Sequence, residues 1–409
     1  MRIIILNDHA HINGGAARVA IDSAKGFARR GRRVTFFAAV GPVEPSLIEA
    51  GVEGVLLDQP DVLTAASLAR FGAQWLWNRA AASRLAALLS GCDPRGTIVH
   101  VHGWAKALSP SIGMALRQAP LPVVQTLHDY SLACPNGGFY DHGAARNCGR
   151  AAMSTGCVLH NCDSRGYHRK LMRVGRHALM RHASGLPQTA RHVIVLSRLQ
   201  EDAIAPYLPR AVFHRVNNPI DVTDAGPRGA AAPGDFLFVG RLSAEKGARY
   251  FAQAARLAGV APVFIGDGPE REALARDFPE ARFLGWLPPE AVRAHMRGAR
   301  ALVFPSVWYE GQPLTIYESL ALGAPVIVSD ICAGREAVKD GETGFWFESG
   351  DAASLAEKMN ALKDDARARR MSDAAHAAYW ANPLTLDRHL DAVASVYEAV
   401  RADVTWARA

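Results

Sequence analysis

The feature of this sequence that most constrains its fold is an alternation of short apolar runs with longer helical segments. The apolar runs are rich in β-branched residues and lie at 2–7, 32–40, 97–103, 122–129 and 192–197, and again at 235–241, 261–268, 281–286, 300–306 and 325–330. Continuous apolar strands separated by helices are typical of parallel sheets that are covered on both faces. The pattern predicts an α/β chain with two Rossmann-like, doubly wound domains whose strand ends face a central cleft.

The boundary between the two domains is predicted at residues 221–234, which are rich in Gly, Pro and Ala and show no periodicity. A length of 409 residues accommodates one domain on each side of this linker. We therefore predict an N-terminal domain at 1–220 and a second domain at 235–382. The region from about 351 onwards has no strand signal and is predicted to be helical.

Composition and charge exclude several classes of protein. Hydrophobic residues make up 49% and charged residues 21%, and no apolar run approaches the length of a membrane-spanning helix. The start of the chain, MRIIILNDHAH, predicts a buried strand rather than a signal peptide, so we expect a cytoplasmic protein whose six Cys stay reduced. The net charge of +7 comes with 39 Arg and only seven Lys, which suits phosphate binding. No zinc-finger, RNP or homeodomain pattern is present, so we expect no nucleic acid partner.

The stretch from Glu310 to Glu318, EGQPLTIYE, follows the strand that ends at Ser306. A Pro at position 313 suits the start of a helix, so Leu314 and Thr315 are expected to offer free backbone N–H groups to a phosphate. Glu310 would precede this helix and Glu318 would lie one turn inside it. On spacing alone, two such Glu are more typical of a solvated surface.

A second stretch, GRLSAEKG, follows the first strand of the second domain and contains Arg241 and Lys246. Two cations in a turn that opens into the cleft can neutralise a diphosphate leaving group. An Arg and a Lys on an ordinary surface loop would look the same. The next strand ends in Gly266-Asp-Gly-Pro269, which by itself is a weak signal.

In this order and spacing, these elements resemble the second domain of the retaining glycosyltransferases of family 4, which have the GT-B fold. The resemblance covers about residues 235–365 and includes PVIVSD at 325–330 and GETG at 341–344. It implies transfer of a sugar from a nucleotide-diphosphate sugar to a glycan or lipid-linked acceptor, with retained anomeric configuration and without a metal ion or other cofactor. Assembly of cell-surface polysaccharide or lipopolysaccharide is the setting that it implies.

The resemblance also implies roles for individual residues. Arg241 and Lys246 would bind the diphosphate of the donor, and Glu310 would contact hydroxyls of the transferred sugar. Glu318 would hydrogen-bond the ribose hydroxyls. The backbone at Leu284 and Gly285 would hold the nucleotide base.

The first domain resembles the family less closely. Gly14 and Gly15 follow the first strand and open a helix, where they allow a phosphate or sugar to approach the backbone. His128, at the end of a strand, matches the active-site His of the family, which contacts the donor sugar; a structural His bonded within its loop is the alternative. His100 and His102 should project to one face of their strand, and packing alone is a sufficient explanation for them.

Four Cys lie in the loop 130–165, at Cys134, Cys148, Cys157 and Cys162. Four thiols in one long loop can bind a structural zinc ion. No C-x2-C pair is present, so free thiols in a substrate loop remain the alternative.

Residues 164–192 contain seven Arg and Lys residues and no Asp or Glu. Tyr167, Leu171, Val174 and Ala178 recur at helical spacing, which predicts a basic amphipathic helix. Such a helix can rest on an anionic membrane surface, which would make the protein peripheral on the inner face of the membrane. A solvated basic face is the alternative.

The last segment, 383–409, has an apolar stripe at Leu386, Leu390, Val393, Tyr397 and Val400. The family architecture implies that this helix crosses back to pack on the first domain.

Two other functions fit the same fold: a nucleotide-sugar epimerase and a non-catalytic glycan-binding scaffold. The two motifs favour a transferase over an epimerase, and the intact charged residues argue against a decayed scaffold.

Overall fold

A computed structural model describes residues 1–61, 68–228 and 234–403. The first half forms an α/β domain. Its strands are β1 (Arg2–His9), β2 (Arg33–Val40), β3 (Glu53–Leu56), β4 (Thr97–Val101), β5 (Val123–Thr126), β6 (Tyr140–Asp141), β7 (Arg146–Asn147), β8 (His192–Val195) and β9 (Val212–Arg215). Its helices are α1 (Gly15–Arg29), α2 (Pro45–Glu49), α3 (Leu68–Leu76), α4 (Arg79–Ser90), α5 (Ile112–Gln118), α6 (Thr155–Val158), α7 (Tyr167–Leu179), α8 (Leu186–Thr189) and α9 (Arg198–Ile204).

The second half forms another α/β domain and a helical tail. Its strands are β10 (Phe236–Val239), β11 (Val263–Ile265), β12 (Arg282–Phe283), β13 (Ala301–Phe304), β14 (Val326–Ser329) and β15 (Gly344–Phe347). Its helices are α10 (Ala248–Ala258), α11 (Arg271–Asp277), α12 (Pro289–Gly298), α13 (Leu314–Ala321), α14 (Ala352–Ala361), α15 (Asp365–Trp380) and α16 (Leu386–Ala402).

Both main sheets are parallel and doubly wound. The first has seven strands in the order β3-β2-β1-β4-β5-β8-β9, and the second has six in the order β12-β11-β10-β13-β14-β15. In each sheet the strand order reverses beside the first strand, between β1 and β4 and between β10 and β13. Ligands of such sheets bind at the carboxyl ends of the strands at this reversal. The predicted α/β architecture is confirmed, and it places two candidate binding edges in the molecule.

Five strands were not predicted from the sequence. Two of them, β6 and β7, form a separate two-stranded sheet, and each of the other three lies at the edge of a main sheet. Strands β3 and β9 have no buried residue, and β15 is buried only at its two ends. An edge strand has one neighbour and one solvated side, so it does not need the continuous apolar run by which central strands are recognised.

The tail connects the two halves of the molecule. Helix α15 packs on α13 in the second domain, where Trp380 donates to the carbonyl oxygen of Ala321. Helix α16 packs on α1 of the first domain and buries Leu390, Val393, Tyr397 and Val400 of the predicted stripe.

Direct hydrogen bonds also join the two domains beside the cleft. The amides of Arg198 and Leu199 donate to the Glu336 carboxylate at 3.0 and 2.9 Å. The amide of Asn218 donates to Gln312 Oε1 at 2.7 Å.

Parts of two predicted segments lie outside the described residues, namely 229–233 of the predicted linker and 404–409 of the predicted last helix. Residues 221–228 form no helix or strand. Across the described ranges, none of the helices is both long enough and apolar enough to cross a bilayer.

Candidate active site

Two helix N-termini face each other across the cleft. Helix α1 begins at Gly15, directly after β1, and α13 begins at Leu314, after β13. A Cβ atom built on Gly15 would lie 4.0 Å from Leu314 Cδ1, so the two helix starts are close neighbours. The first-turn N–H groups of an α-helix have no intrahelical partner and attract anions. The predicted positions of Gly14, Gly15, Leu314 and Thr315 therefore converge on one place.

A polar cluster lies beside the start of α13 and centres on one oxygen atom of Glu310. Lys246 Nζ lies 2.6 Å from Glu310 Oε1, and the indole N–H of Trp308 donates to the same oxygen at 2.7 Å. The hydroxyl of Ser306 donates to it at 3.0 Å. The structure thus brings two predicted site residues, Lys246 and Glu310, into direct contact. Trp308 was not predicted, because a Trp after a strand carries no signal of a polar partner.

Close backbone packing explains how Lys246 reaches Glu310. Gly247 has a φ of +72°, and a Cβ there would come within 2.0 Å of the carbonyl oxygen of Pro305. Only Gly tolerates this conformation and this approach. The turn that contains Lys246 is therefore pressed against the turn that contains Glu310. Arg241 lies on the same turn and is exposed.

Glu318 lies half-buried in α13, one turn below the helix start. Desolvation raises the pKa of its carboxyl group, and the positive charges of Arg293 and Arg18 oppose this rise. Arg18 belongs to α1, so its charge acts on Glu318 from the opposite domain. A carboxyl group in this position can accept hydrogen bonds from a ligand bound between the two domains.

The turn after β12 contains the predicted base-binding residues. Gly285 has a φ of +68°, and its carbonyl oxygen accepts from the amide of Gly266 at 2.7 Å. This bond ties the turn to the carboxyl end of β11. The following residue, Trp286, leaves 78% of its surface exposed.

His128 lies at the carboxyl end of β5, on the opposite side of the cleft. Its Nε2 is 3.1 Å from Nδ1 of His102, and the two rings are stacked with centroids 5.4 Å apart. His100 packs beside His102 and is hydrogen-bonded to Tyr397 of α16 and to Thr126, both at 2.7 Å. Burial lowers the pKa of His128 to about 4 and that of His100 to about 3, and it lowers the pKa of His102 well below its usual value. Burial thus favours the neutral form of all three rings at physiological pH.

The zinc site predicted at the four Cys of the loop 130–165 stays a prediction. Within the described ranges, no three His, Cys, Asp or Glu side chains are placed to hold one metal ion. Instead, the fully buried Lys170 of α7 lies 3.4 Å from Cys157 Sγ and 3.3 Å from Cys162 Sγ. The ammonium group of Lys170 thus contacts two of the four thiols.

The basic segment 164–192 is helical over a shorter range than the pattern suggested. Helix α7 ends at Leu179, and a π-helical turn (Met180–Ser184) and α8 follow it. The burial of α7 is also the reverse of that of an ordinary amphipathic helix. The helix buries the basic residues Lys170, Arg176 and His177. It exposes Tyr167, Leu171 and Met172, each by more than a third of its surface. Arg176 packs over the Trp75 ring and donates to the carbonyl oxygens of Trp75 and Ala105.

Comparison with known proteins gives consistent matches. A family model described as Glycosyltransferase Family 4 matches residues 13–224, and one described as Glycosyl transferases group 1 matches residues 233–365. Glycogen synthase from Mycobacterium tuberculosis is 28% identical over 298 residues, which cover 69% of this chain and 64% of the synthase. Lipopolysaccharide 1,6-galactosyltransferase from Salmonella typhimurium is 30% identical over 195 residues, which cover 44% of this chain and 54% of that enzyme. The matched part of the chain thus spans less than two thirds of these relatives' length.

Among solved structures, HepE from Anabaena in complex with UDP-glucose has a TM-score of 0.66 and 18% identity. The superposition covers 98% of this chain and 100% of the HepE chain. Together with the two parallel sheets, this likeness confirms the predicted GT-B fold.

Proposed function

Because this chain belongs to glycosyltransferase family 4, as its match to the family model over residues 13–224 establishes, we propose that it transfers a sugar from a nucleotide-diphosphate sugar to a glycan or lipid-linked acceptor. The observation that carries the proposal is the contact between Lys246 and Glu310 beside the start of α13. One point of the cleft contains a cation, a carboxylate and free helix N–H groups. Together these groups can bind the diphosphate of a nucleotide-sugar donor, the hydroxyls of its sugar and the oxygen that bridges the two.

In this proposal the diphosphate docks at the first turn of α13, on the N–H groups of Leu314 and Thr315. Lys246 and Arg241 stabilise the negative charge that develops as the diphosphate leaves. Glu310 accepts hydrogen bonds from hydroxyls of the transferred sugar. These two cations and the helix start supply the positive charge that a divalent ion supplies in other transferases, so the proposed reaction is metal-independent.

Glu318 holds the ribose hydroxyls and the backbone at Gly285 holds the base. His128 approaches the sugar from the first domain, and a neutral imidazole there is able to hydrogen-bond a hydroxyl without adding charge. The proposed stereochemical outcome is retention, with the leaving diphosphate accepting the proton of the attacking acceptor hydroxyl on the same face of the sugar.

The experiment measures release of nucleoside diphosphate from a panel of nucleotide sugars, with and without acceptors. UDP-glucose is tested first, because HepE is known in complex with it. Diphosphate release that depends on acceptor supports a transferase. An isomerised sugar nucleotide without diphosphate release indicates an epimerase, and binding without turnover indicates a scaffold. Loss of activity in EDTA that manganese restores would contradict metal independence, and an inverted product in NMR would contradict retention.

We further propose that the acceptor belongs to the assembly of cell-surface polysaccharide or lipopolysaccharide. Support comes from the lipopolysaccharide galactosyltransferase of Salmonella and from a putative teichuronic acid biosynthesis glycosyltransferase of Bacillus subtilis, which is 28% identical over 57% of this chain. Such acceptors are amphiphilic when they are built on a lipid, so the enzyme would work at a membrane surface.

Helix α7 supplies a physical basis for such a location. Its exposed apolar residues border an apolar groove of about 620 Å³ between α3 and α7, lined by Trp75, Leu76, Met172 and Leu179 among others. Leu159, at the end of the neighbouring α6, leaves 70% of its surface exposed. Arg165, Arg169 and Arg181, which lie in or next to α7 along the chain, are exposed. Apolar side chains among basic ones match an anionic lipid surface. We therefore propose that this face docks on the membrane.

The test is flotation of the protein with vesicles of phosphatidylglycerol or phosphatidylcholine. We expect binding to the anionic vesicles that weakens in high salt, and a loss of at least fivefold in the Leu171→Glu, Met172→Glu variant. The matched control is Leu257→Glu on α10, because Leu257 is equally apolar, is 63% exposed and lies in the other domain. Equal flotation of both variants and the unmodified protein would contradict docking through α7.

A further inference from the structure

A small, closely lined pocket lies at the strand-order reversal of the first domain, between the start of α1 and the carboxyl ends of β1, β4 and β5. Its volume is about 80 Å³, which is more than one water molecule needs. Its wall is built rigidly, because buried Asp8 accepts hydrogen bonds from the amides of Lys106, Ala107 and Leu108 at 2.8–2.9 Å. Such a pocket is held in shape without a ligand.

Three polar side chains of this lining are buried and have an atom without a hydrogen-bond partner, namely His9 at Nε2, His102 at Nε2 and Gln125 at Oε1. The Nε2 atom of His9 lies 3.5 Å from a carboxylate oxygen of Asp61. His102 and Gln125 are only 5% and 1% exposed. Buried polar atoms in folded proteins are almost always hydrogen-bonded, so an unpartnered one beside a cavity points to a group that enters the cavity. The same lining also contains the ring of His128.

The pairing of the two histidines determines what they offer. His102 Nδ1 and His128 Nε2 share one hydrogen bond of 3.1 Å, so one of these two nitrogens carries the proton. If His128 donates, His102 Nε2 carries its own proton and is a donor, and His128 Nδ1 is an acceptor. If His102 donates, these two roles are exchanged. In both cases two neutral rings present one donor and one acceptor, and only a group that both donates and accepts fits both arrangements.

The charges of the pocket lining also limit which class of ligand can bind. Asp8 and Asp129 both line the pocket, and Lys106 is its only cation among the residues described. Two carboxylates disfavour a phosphate or carboxylate ligand, because like charges repel at short range. A neutral hydroxyl satisfies the polar atoms and is not repelled.

From these observations we propose that the pocket binds a hydroxyl-bearing edge of a neutral sugar, and that His102 determines specificity for it by direct contact through Nε2. His102 is also a positioning residue, because its Nδ1 fixes the ring of His128. The inference rests on the proposed glycosyl transfer and adds a residue to it. The sugar that enters is either the one transferred from the donor or the one that accepts it, and the experiment distinguishes these sources.

Three substitutions separate the two roles of His102. His102→Asn places an amide near the position of Nδ1, so it is expected to keep His128 in place but to lose the pocket contact. His102→Gln places an amide near the position of Nε2 and is expected to keep the pocket contact but to release His128. His102→Phe loses both.

We expect the Asn variant to raise KM for one substrate at least tenfold with kcat changed less than threefold. A raised donor KM identifies the transferred sugar, and a raised acceptor KM identifies the acceptor sugar. We expect the Gln variant to lower kcat at least tenfold and to leave that KM within threefold. Equal effects of the Asn and Gln variants on kcat and KM would overturn the assignment of separate roles.

Monodeoxy sugars provide the decisive comparison. One monodeoxy sugar should lack the hydroxyl that contacts His102. In the unmodified enzyme its kcat/KM should be at least tenfold lower than that of the complete sugar. In His102→Asn the difference should be less than threefold, because this variant already lacks the contact. If every monodeoxy sugar affects both enzymes equally, the pocket does not contact the substrate. Absence of transfer by the unmodified enzyme is a different result, and it contradicts the proposed function.

A measurement that does not depend on the variants folding uses the unmodified protein with 15N-labelled histidines. Saturation with the sugar substrate identified above should shift the NMR resonance of His102 Nε2, while that of His177, which lies outside the pocket lining, should stay unchanged. An unchanged His102 resonance at saturation would overturn the proposal.

Discussion

Lys246 is the residue whose environment in the cleft is most sharply defined. Its ammonium group lies 2.6 Å from Glu310 and 5.4 Å from the Trp308 ring centroid, on a turn that close backbone packing holds in place. We expect Lys246→Ala and Arg241→Ala each to lower turnover at saturating donor at least about tenfold, because each removes positive charge from the departing diphosphate. Arg241→Ala should change stability by less than about 1 kcal/mol, because Arg241 is exposed. Lys246→Ala should cost more, because it leaves the buried Glu310 carboxylate without its cation.

Turnover is measured at saturating donor, and stability by urea unfolding. The matched control is Lys339→Ala, because Lys339 is 65% exposed and pairs with Glu342 at 3.2 Å in the same domain. This control should retain full activity. Wild-type turnover in either cleft variant would remove that cation from the leaving-group site.

The sequence predicted the two charged residues of this contact but not their neighbours. Lys246 and Glu310 stand in motifs whose spacing resembles that of a known family. Trp308 and His102 carry no such signal, because their importance arises from a partner that the fold brings to them. His102 was considered as packing, and the stacking on His128 became visible only when β4 and β5 were placed side by side.

The elements of the fold were predicted well where burial is complete and poorly where it is partial. Central strands are recognisable because both of their faces are covered, whereas β3, β9 and β15 lie at sheet edges. Helix α7 shows a different limit. Its helical periodicity was evident from the sequence. The burial of Lys170 between two thiols and the packing of Arg176 against Trp75 were not. The partners of these cations come from distant segments, so no local pattern contains them.

The contact between α1 and α16 gives a prediction at the scale of elements. Gly26 of α1 lies under Leu390 of α16, and a Cβ there would come within 2.4 Å of Leu390 Cδ1. Gly26→Ala should therefore destabilise the protein by about 1–3 kcal/mol, because overpacking of a buried contact exceeds the gain in helix propensity. The free energy of unfolding in urea measures this change.

Gly175 of α7 is the matched control for this substitution. A Cβ built there meets nothing within 4 Å, so Gly175→Ala should be neutral or stabilise the protein by about 0.5–1 kcal/mol. In the double variant Gly26→Ala, Leu390→Ala, the shorter side chain at position 390 leaves room for the new Cβ. Gly26→Ala should therefore lower stability less in the Leu390→Ala variant than it does in the unmodified protein. Equal stability of Gly26→Ala and Gly175→Ala would show that α16 does not pack closely on α1.

At the scale of the whole molecule, the crossing of α16 joins the tail to the side of the first domain that contains the histidine cluster. Tyr397 of α16 is hydrogen-bonded to His100, His100 packs on His102, and His102 holds His128. His389 of the same helix lies 2.8 Å from the carbonyl oxygen of Asn217, where the chain leaves the first domain. A single helix therefore contacts both the histidine cluster and the segment that connects the two domains.

The abundance of buried neutral histidines makes the stability of the molecule depend on pH. Burial lowers the pKa of seven of the 15 His residues, namely His9, His100, His102, His128, His177, His214 and His389. In the unfolded chain their pKa is about 6.5. Between that value and the lower folded values, the unfolded state binds protons that the native state does not, so stability must fall as the pH falls.

We expect stability to be nearly constant above pH 7 and to decrease from about pH 6.5 downwards, by up to about 1.4 kcal/mol per pH unit for each fully shifted histidine. Burial raises the pKa of Asp129, Glu270 and Glu318, which opposes the trend, but these carboxyl groups are fewer than the histidines. Urea midpoints between pH 7.5 and 5 measure the slope. His177→Gln should make the slope shallower, because the pKa of His177 is lowered to about 4, whereas replacement of the exposed His295 by Gln should leave it unchanged. A stability that stays constant down to pH 5 would mean that these rings are protonated in the folded protein and that the histidine cluster at the cleft is charged.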